Sequence, residues 1–290
     1  MRLGLHVSDF TWPGGAPSLA GDLAAVARAA DEGGFDRLSV MDHVWQIAHL
    51  GPPENPMLEA YTTLGYLAAT TRRVRLLALV TGVVYRAPGL LAKAVTTLDV
   101  LSGGRAILGI GAAWNGDESA GLGLDFPPTA ERFERLEEAL QVVRQMWQDG
   151  DAPYEGRHYR LARTLNSPQV LTRPHPPILI GGSGERKTLR LVARYADSCN
   201  VFGAQDPARK LEVLRAHCEE LGRDYEEIEK TVSVSLDPGA RGERVEELVD
   251  QLGRLAELGF SVAHGSVPEV AGLGRLEILA TRVVPAVAAL

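Results

Sequence analysis

The stretch Leu76–Trp114, LLALVTGVVYRAPGLLAKAVTTLDVLSGGRAILGIGAAW, decides the fold. Two continuously apolar runs, Leu76–Val80 and Ala106–Ile110, flank a helical segment that runs from Pro88 to Leu101. Neither run alternates apolar with polar as a half-exposed antiparallel strand would. Both therefore suit a parallel sheet covered on both faces, and the stretch reads as strand, helix, strand. Each run ends in small residues, Thr81 and Gly82 after the first and Gly109, Gly111, Ala112 and Ala113 at the second. Such residues let backbone or a flat ligand come close at the carboxyl ends of the strands, where parallel α/β proteins bind ligands.

Upstream, the same rhythm predicts a strand at Leu3–Val7, a helix capped by Ser18 and stopped at Gly33 and Gly34, a strand at Arg37–Met41, and a helix over residues 57–71. Between the last two lies a long loop, DHVWQIAHLGPPENP; loops of that length are commonly functional. Downstream, a Gly-rich loop after Trp114 leads to a long helix announced by Pro128 and an acidic first turn. From Pro153 to Pro177 the rhythm breaks. YEGRHYRL reads as a short strand or hairpin, and the segment as an insertion before the fifth strand, Ile178–Ile180. Further strand and helix pairs follow, with strands at Asp197–Val201, Lys230–Leu236 and Phe260–His264 and a last helix interrupted by Pro285. Eight alternations without a linker predict one α/β domain over residues 1–290, a (β/α)8 TIM barrel with a short insertion before strand five. Order along the chain does not prove closure, so an open sheet is the alternative.

The chain has 290 residues, 45% of them hydrophobic, enough for a substantial core. Its formal net charge of -7 argues against a nucleic-acid or anionic-membrane partner. The amino terminus enters a strand without an apolar leader, and no run of about 18 uncharged apolar residues occurs, which predicts a cytoplasmic protein. Cys199 and Cys218 are the only cysteines, read as ordinary thiols. No H-E-x-x-H, carboxylate cluster or Cys cluster is present, so no metal is expected. An esterase-type serine is equally unsupported, since Ser183 stands in GGSGE and not in a G-x-S-x-G elbow.

With the strands aligned in a barrel, the tips carrying Phe10, Trp12, Asp42, His43, Trp45, Gly82, Trp114, Asn200 and His264 share one rim, an aromatic pocket with few ionisable groups. His43 is the candidate proton shuttle, because an imidazole exchanges protons near neutral pH; the alternative is a histidine merely hydrogen-bonded at a strand end. Trp12, Trp45 and Trp114 wall a slot for a planar ring or, individually, pack as core. In GGSGERK the glycines free backbone N–H groups, and Arg186 and Lys187 add charge suited to an anion. The same residues also read as a turn with Ser183 as helix cap.

Taken together, MDHVWQ, MLEAYTTLGYLAATT, LVTGVVYR, LLAKAVTTLDVLSGGRAILGIGAAWN, ERFERLEEAL and PPILIGGSGERKTLRLVARYAD resemble the bacterial luciferase-like superfamily, and above all its coenzyme F420-dependent oxidoreductases. The resemblance implies a barrel with a deazaflavin, or alternatively FMN, across the carboxyl rim, and a homodimer. It implies that Thr81, Gly82 and Val83 form the bulge that supports the ring, often with a non-prolyl cis peptide, which is expected between Thr81 and Val84. It places the cofactor phosphate at Gly181, Gly182, Ser183 and Gly184, with Arg186 and Lys187 near the acidic tail. Asp42 and His43 match the position beside the ring, His43 as base. Trp114 and Asn115 stand where sugar-phosphate dehydrogenase relatives carry a catalytic glutamate, so a small apolar or aromatic substrate is expected in place of glucose 6-phosphate. The function implied is F420-dependent hydride transfer. An FMN-dependent monooxygenase and a catalytically silent flavin-binding protein are the alternatives.

Overall fold

A computed structural model describes all 290 residues. The chain winds through β1 (Arg2–Val7), α1 (Ala16–Glu32), β2 (Arg37–Val40), α2 (Ala60–Thr70), β3 (Arg75–Ala78), β4 (Thr81–Gly82), α3 (Pro88–Ser102) and β5 (Leu108–Gly111). It continues through α4 (Asp117–Gly121), α5 (Thr129–Met146), a hairpin of β6 (Tyr154–Glu155) and β7 (Arg160–Leu161), β8 (Ile178–Gly181) and α6 (Thr188–Tyr195). Then follow β9 (Ser198–Phe202), α7 (Pro207–Leu221), β10 (Glu229–Ser235), α8 (Val245–Glu257), β11 (Val262–Ser266), α9 (Gly274–Ile278) and α10 (Val284–Ala288).

Strand order in the main sheet is β3-β2-β1-β11-β10-β9-β8-β5-β4, with every pairing parallel. β3 and β4 are one barrel strand broken at Leu79 and Val80, so both ends of the order belong together. A parallel bridge from Leu76 to Ala106 joins β3 to the start of the β5 run and brings the sheet round on itself. The TIM barrel is therefore the architecture, and the open sheet is excluded. The hairpin expected in YEGRHYRL is present, and Glu138 of α5 clamps it by accepting the amides of Arg157, His158 and Tyr159 at 2.8, 3.0 and 3.0 Å.

Most helix boundaries follow local chemistry. Glu59 caps α2 by accepting from the Tyr61 and Thr62 amides, and Gly103 ends α3 with φ 70°, a left-handed value that glycine adopts without strain. Ser18 does not cap α1. The helix starts two residues earlier with Pro17 in its first turn, and the Ser18 hydroxyl donates to Asp22 at 2.6 Å, with the Gly15 carbonyl 3.2 Å away. The last helix is broken as expected. A π turn over Leu279–Val283 separates α9 from α10, which carries Pro285 in its first turn, where its missing N–H costs no bond.

The barrel interior is split in character. On one side Leu77, Ile107 and Leu179 form an apolar plug under Leu79 and Val80. On the other, β1, β2, β10 and β11 turn inward His6, Arg37, Ser39, Thr231 and His264, and all but His6 are buried. Arg37 donates to Asp36 and Glu229, and Thr231 donates to the Cys199 carbonyl at 2.7 Å with the Asn200 side-chain oxygen 3.0 Å away. No helix is long and apolar enough to cross a membrane.

Candidate active site at the carboxyl rim

The strand break is where the glycines of the opening stretch find their use. The cis peptide lies between Leu79 and Val80, two residues before the expected window, and Thr81 to Val84 are trans. Thr81, Gly82 and Val83 are buried, and the Thr81 hydroxyl pairs with Tyr61 of α2 at 2.8 Å, so the exposed part of the bulge is Leu79 and Val80. The reason is the register of β4. Thr81 and Gly82 resume pairing with Ile110 and Gly111 of β5, which leaves the two preceding residues to absorb the bend. The Val80 side chain then fills the space that neighbouring glycines leave open. A Cβ on Gly181 would lie 2.7 Å from Val80, one on Gly111 3.0 Å, and one on Gly109 only 2.0 Å from the Ala78 carbonyl oxygen.

Beside this shelf stands His43, at the tip of β2. Its Nδ1 lies 2.5 Å from Oε1 of Glu118, a fully buried carboxylate at the start of α4. Glu118 also accepts from the Tyr85 hydroxyl at 2.6 Å and from the backbone amides of Val44 at 2.9 Å and Trp45 at 3.4 Å. Burial pushes this carboxyl up, but the bonds from His43, Tyr85 and Val44 outweigh it and hold it below the ordinary glutamate range. The Tyr85 phenol moves the other way, raised by burial and by Glu118, so it remains a donor. An ionised Glu118 accepts only. Nδ1 of His43 therefore donates to Glu118, and Nε2, which makes no bond within the chain, is the nitrogen left for a ligand.

Sequence reading missed Glu118. The Gly-rich loop hid a short helix, α4, before which the Asn115 side chain accepts from the Asp117 amide at 3.4 Å; Glu118 turns away from the helix start to His43. The pocket with few ionisable groups is corrected accordingly: a carboxylate reaches His43 even though Trp114 and Asn115 occupy the strand tip. Asp42 is engaged within the chain. It is buried, and both its oxygens are taken by Arg86 at 2.7 and 3.0 Å, so its carboxylate faces a guanidinium. Arg86 in turn bonds Glu59 and lies 4.7 Å over the Tyr61 ring. Burial pushes the Asp42 carboxyl up against the pull of Arg86.

The tryptophans divide. Trp114 is 60% exposed and meets the His43 ring edge-on at 5.6 Å, with His49 on its other side at 6.2 Å. Trp45 packs the tip of its indole against α4, where a Cβ on Gly121 would approach Cη2 to 2.1 Å. Trp12 is buried against Phe10 and belongs to the core. His264, expected at the rim, is fully buried inside the barrel, and neither ring nitrogen has a partner.

Across the rim, Gly181–Gly184 leave β8. Gly182 has φ 122°, open to glycine alone, and Ser183 accepts from the Phe202 amide at 3.3 Å rather than capping a helix, since α6 begins only at Thr188. Arg186 and Lys187 are exposed and make no ion pair, and Lys187 lies 5.3 Å from the centre of the Phe133 ring.

A parallel barrel with a histidine–carboxylate pair at its carboxyl rim defines the architecture of an enzyme. The chain belongs to the luciferase-like monooxygenase family, whose profile matches residues 1–271. An uncharacterized protein of Mycobacterium tuberculosis is 30% identical over 263 residues, covering 85% of this chain and 87% of its own length. The F420-dependent glucose-6-phosphate dehydrogenase of Kineococcus radiotolerans is 33% identical over 225 residues, 74% of this chain but 64% of that enzyme, so the match spans just under two thirds of it. Among solved structures, an F420-dependent secondary alcohol dehydrogenase in complex with an F420–acetone adduct superposes with a TM-score of 0.81 at 19% identity, covering 99% of this chain and 98% of that one. A monooxygenase from Streptomyces bottropensis does so with a TM-score of 0.80 at 20% identity, covering 98% and 99%. Both share the fold.

Proposed function

We propose that this protein is a coenzyme F420-dependent oxidoreductase that moves a hydride between the deazaflavin and a small organic substrate. The observation that carries the reading is the His43–Glu118 pair, an imidazole with one nitrogen fixed on a carboxylate and the other free at the rim. The similarity to an F420-dependent dehydrogenase at 33% identity favours deazaflavin over FMN. When bound, the cofactor supplies a two-electron hydride donor or acceptor.

The residues present suit that group. Leu79 and Val80 offer a partly exposed apolar shelf, with Thr81, Gly82 and Val83 buried behind it. In the Gly181–Gly184 turn the Gly182 amide is bonded to the Asn200 carbonyl, which leaves the Ser183 and Gly184 amides for a phosphate, and the exposed Arg186 and Lys187 add two cations to meet an acidic tail. In alcohol oxidation, Nε2 of His43 takes the hydroxyl proton as hydride leaves the carbon, and Glu118 stabilises the imidazolium so formed. In reduction the same proton returns to the product. Trp114, next to His43, and Trp45 border the substrate, Asn115 holds the turn beneath them, and Asp42 braces the strand tip through Arg86. We place the enzyme in the cytoplasm as a homodimer.

Incubation with reduced F420 and, separately, reduced FMN against a panel of ketones and activated alkenes tests the reading, and oxidised F420 with secondary alcohols tests the reverse direction. Substrate-dependent change in the deazaflavin absorbance is expected. Oxygen-dependent product with FMN alone would favour the monooxygenase reading.

A further inference from the structure

We propose that His6 is a second substrate-contacting imidazole of this site and that it selects substrates carrying an additional hydrogen-bond donor beside the reacting group, such as a vicinal diol. This rests on the oxidoreductase reading of the rim.

His6 is next to last in β1 and points into the barrel on the polar side, one strand from His43. Its Nδ1 lies 2.9 Å from the Ser39 hydroxyl oxygen, and that hydroxyl has the Leu5 carbonyl 3.3 Å away as its acceptor. A hydroxyl that gives its only proton to a carbonyl accepts from its other neighbour, so Nδ1 of His6 is the donor and Nε2 holds a bare lone pair. Nε2 makes no bond within the chain, and His6 is only half-buried while its inward neighbours Ser39 and His264 are fully buried. Unlike both ring nitrogens of His264, the unbonded Nε2 of His6 is not sealed from solvent, so this edge is the one a ligand can reach.

β1 pairs with β2, with His6 opposite Ser39 and His43 at the tip of the same strand, and charge on His43 opposes charge on His6, whose pKa is lowered to about 4 by burial first and then by His43. They are not equivalent. His43 has the Glu118 carboxylate to stabilise a proton, whereas His6 has only the neutral Ser39 on its far nitrogen, with His264 and Arg37 deeper in the barrel. His43 is thus the base, and His6 stays a neutral acceptor. A simple alcohol gives its single O–H to His43 and leaves the His6 lone pair unmatched. A neighbouring hydroxyl satisfies it, and a site with a committed polar atom discriminates against ligands that leave that atom unpaired.

The test compares cis-cyclohexane-1,2-diol with cyclohexanol, using oxidised F420 as acceptor, in wild type, His6→Phe and His6→Gln. A kcat/KM ratio favouring the diol by about tenfold is expected in the wild type. That ratio collapses toward one in His6→Phe and returns in part in His6→Gln, whose carboxamide oxygen can accept. A purely structural role lowers both alcohols alike and leaves the ratio intact, which would overturn the proposal, as would a wild type without diol preference. If neither alcohol reacts with F420, the oxidoreductase reading is what has failed for alcohols. The proposal is then decided by nitrogen-15 NMR of the histidines with the diol alone: the His6 Nε2 resonance shifts with the diol and not with cyclohexanol. An unmoved resonance refutes it.

Discussion

Nδ1 of His43 and Oε1 of Glu118 lie 2.5 Å apart, although 75 residues separate them in the chain. The contact joins the tip of β2 to α4, and Glu118 holds the loop after β2 as well, through the Val44 and Trp45 amides. Glu118→Gln keeps the shape but can donate where it now only accepts, so it disturbs the tautomer of His43 and removes the counter-charge. Turnover should fall by about two orders of magnitude, and His43→Ala by 10²–10⁴-fold, with cofactor affinity little changed. Steady-state kinetics alongside cofactor binding reads both; a His43→Ala variant with intact turnover would remove the histidine from the chemistry.

The Asp42–Arg86 pair predicts a stability effect. Asp42 is almost fully buried, and Arg86 meets both its oxygens. Arg86→Met strands the carboxylate, and a loss of about 3–5 kcal/mol is expected on urea unfolding. The double variant Arg86→Met with Asp42→Leu should recover most of that loss, because the cost lies in the unpaired charge.

Packing at the strand break is testable through two glycines. Gly109→Ala brings a Cβ to 2.0 Å from a backbone carbonyl that cannot move away, so this variant should fail to accumulate as folded protein. Gly181→Ala meets only the Val80 side chain, at 2.7 Å, and should cost about 1–3 kcal/mol. Val80→Ala in the same chain makes room for the new methyl, so the double variant should lie above the sum of the singles by about 1 kcal/mol in thermal or chemical denaturation.

Acidification should destabilise the protein through its inward histidines. In the unfolded chain an imidazole takes up its proton near 6.5, whereas in folded His6 this happens only at about 4, for reasons of burial first and His43 second. Between those values the unfolded state binds more protons, so stability is retained above pH 6.5, falls as the pH drops toward 4, and is fully lost to this group below that. Being partly exposed, His6 should contribute on the order of 1–3 kcal/mol. Burial holds His264 well below its ordinary value as well and acts in the same direction. Melting temperature against pH should show this slope, and His6→Phe should flatten it.

The alternation of elements was legible because apolar runs bounded by glycine and proline mark buried strands without reference to distant residues. The insertion hairpin was legible for the same local reasons. Closure was not, since it depends on Leu76 meeting Ala106, and neither residue announces its partner. Within the site, His43 could be read from its place at a strand tip, but Glu118 could not be assigned to it because their contact is tertiary. The glycines at Gly109, Gly111 and Gly181 looked like room for a ligand. Much of that room is taken by Val80, a consequence of the bend at Leu79 and Val80 that displaces the expected cis bond by two residues. His264 is not at the rim because β11 runs two residues beyond the expected end, to Ser266, which leaves its inward side chain a layer deeper in the barrel, and the Asp42–Arg86 pair is a tertiary contact that no local pattern announces.

The most direct test of the account is equilibrium binding of oxidised F420 and of FMN to the same preparation, repeated with Arg186→Glu and Lys187→Glu together. Tighter binding of F420 than of FMN is expected, with the F420 affinity falling at least tenfold on charge reversal. FMN bound as tightly as F420, or an F420 affinity indifferent to the reversal, would contradict it.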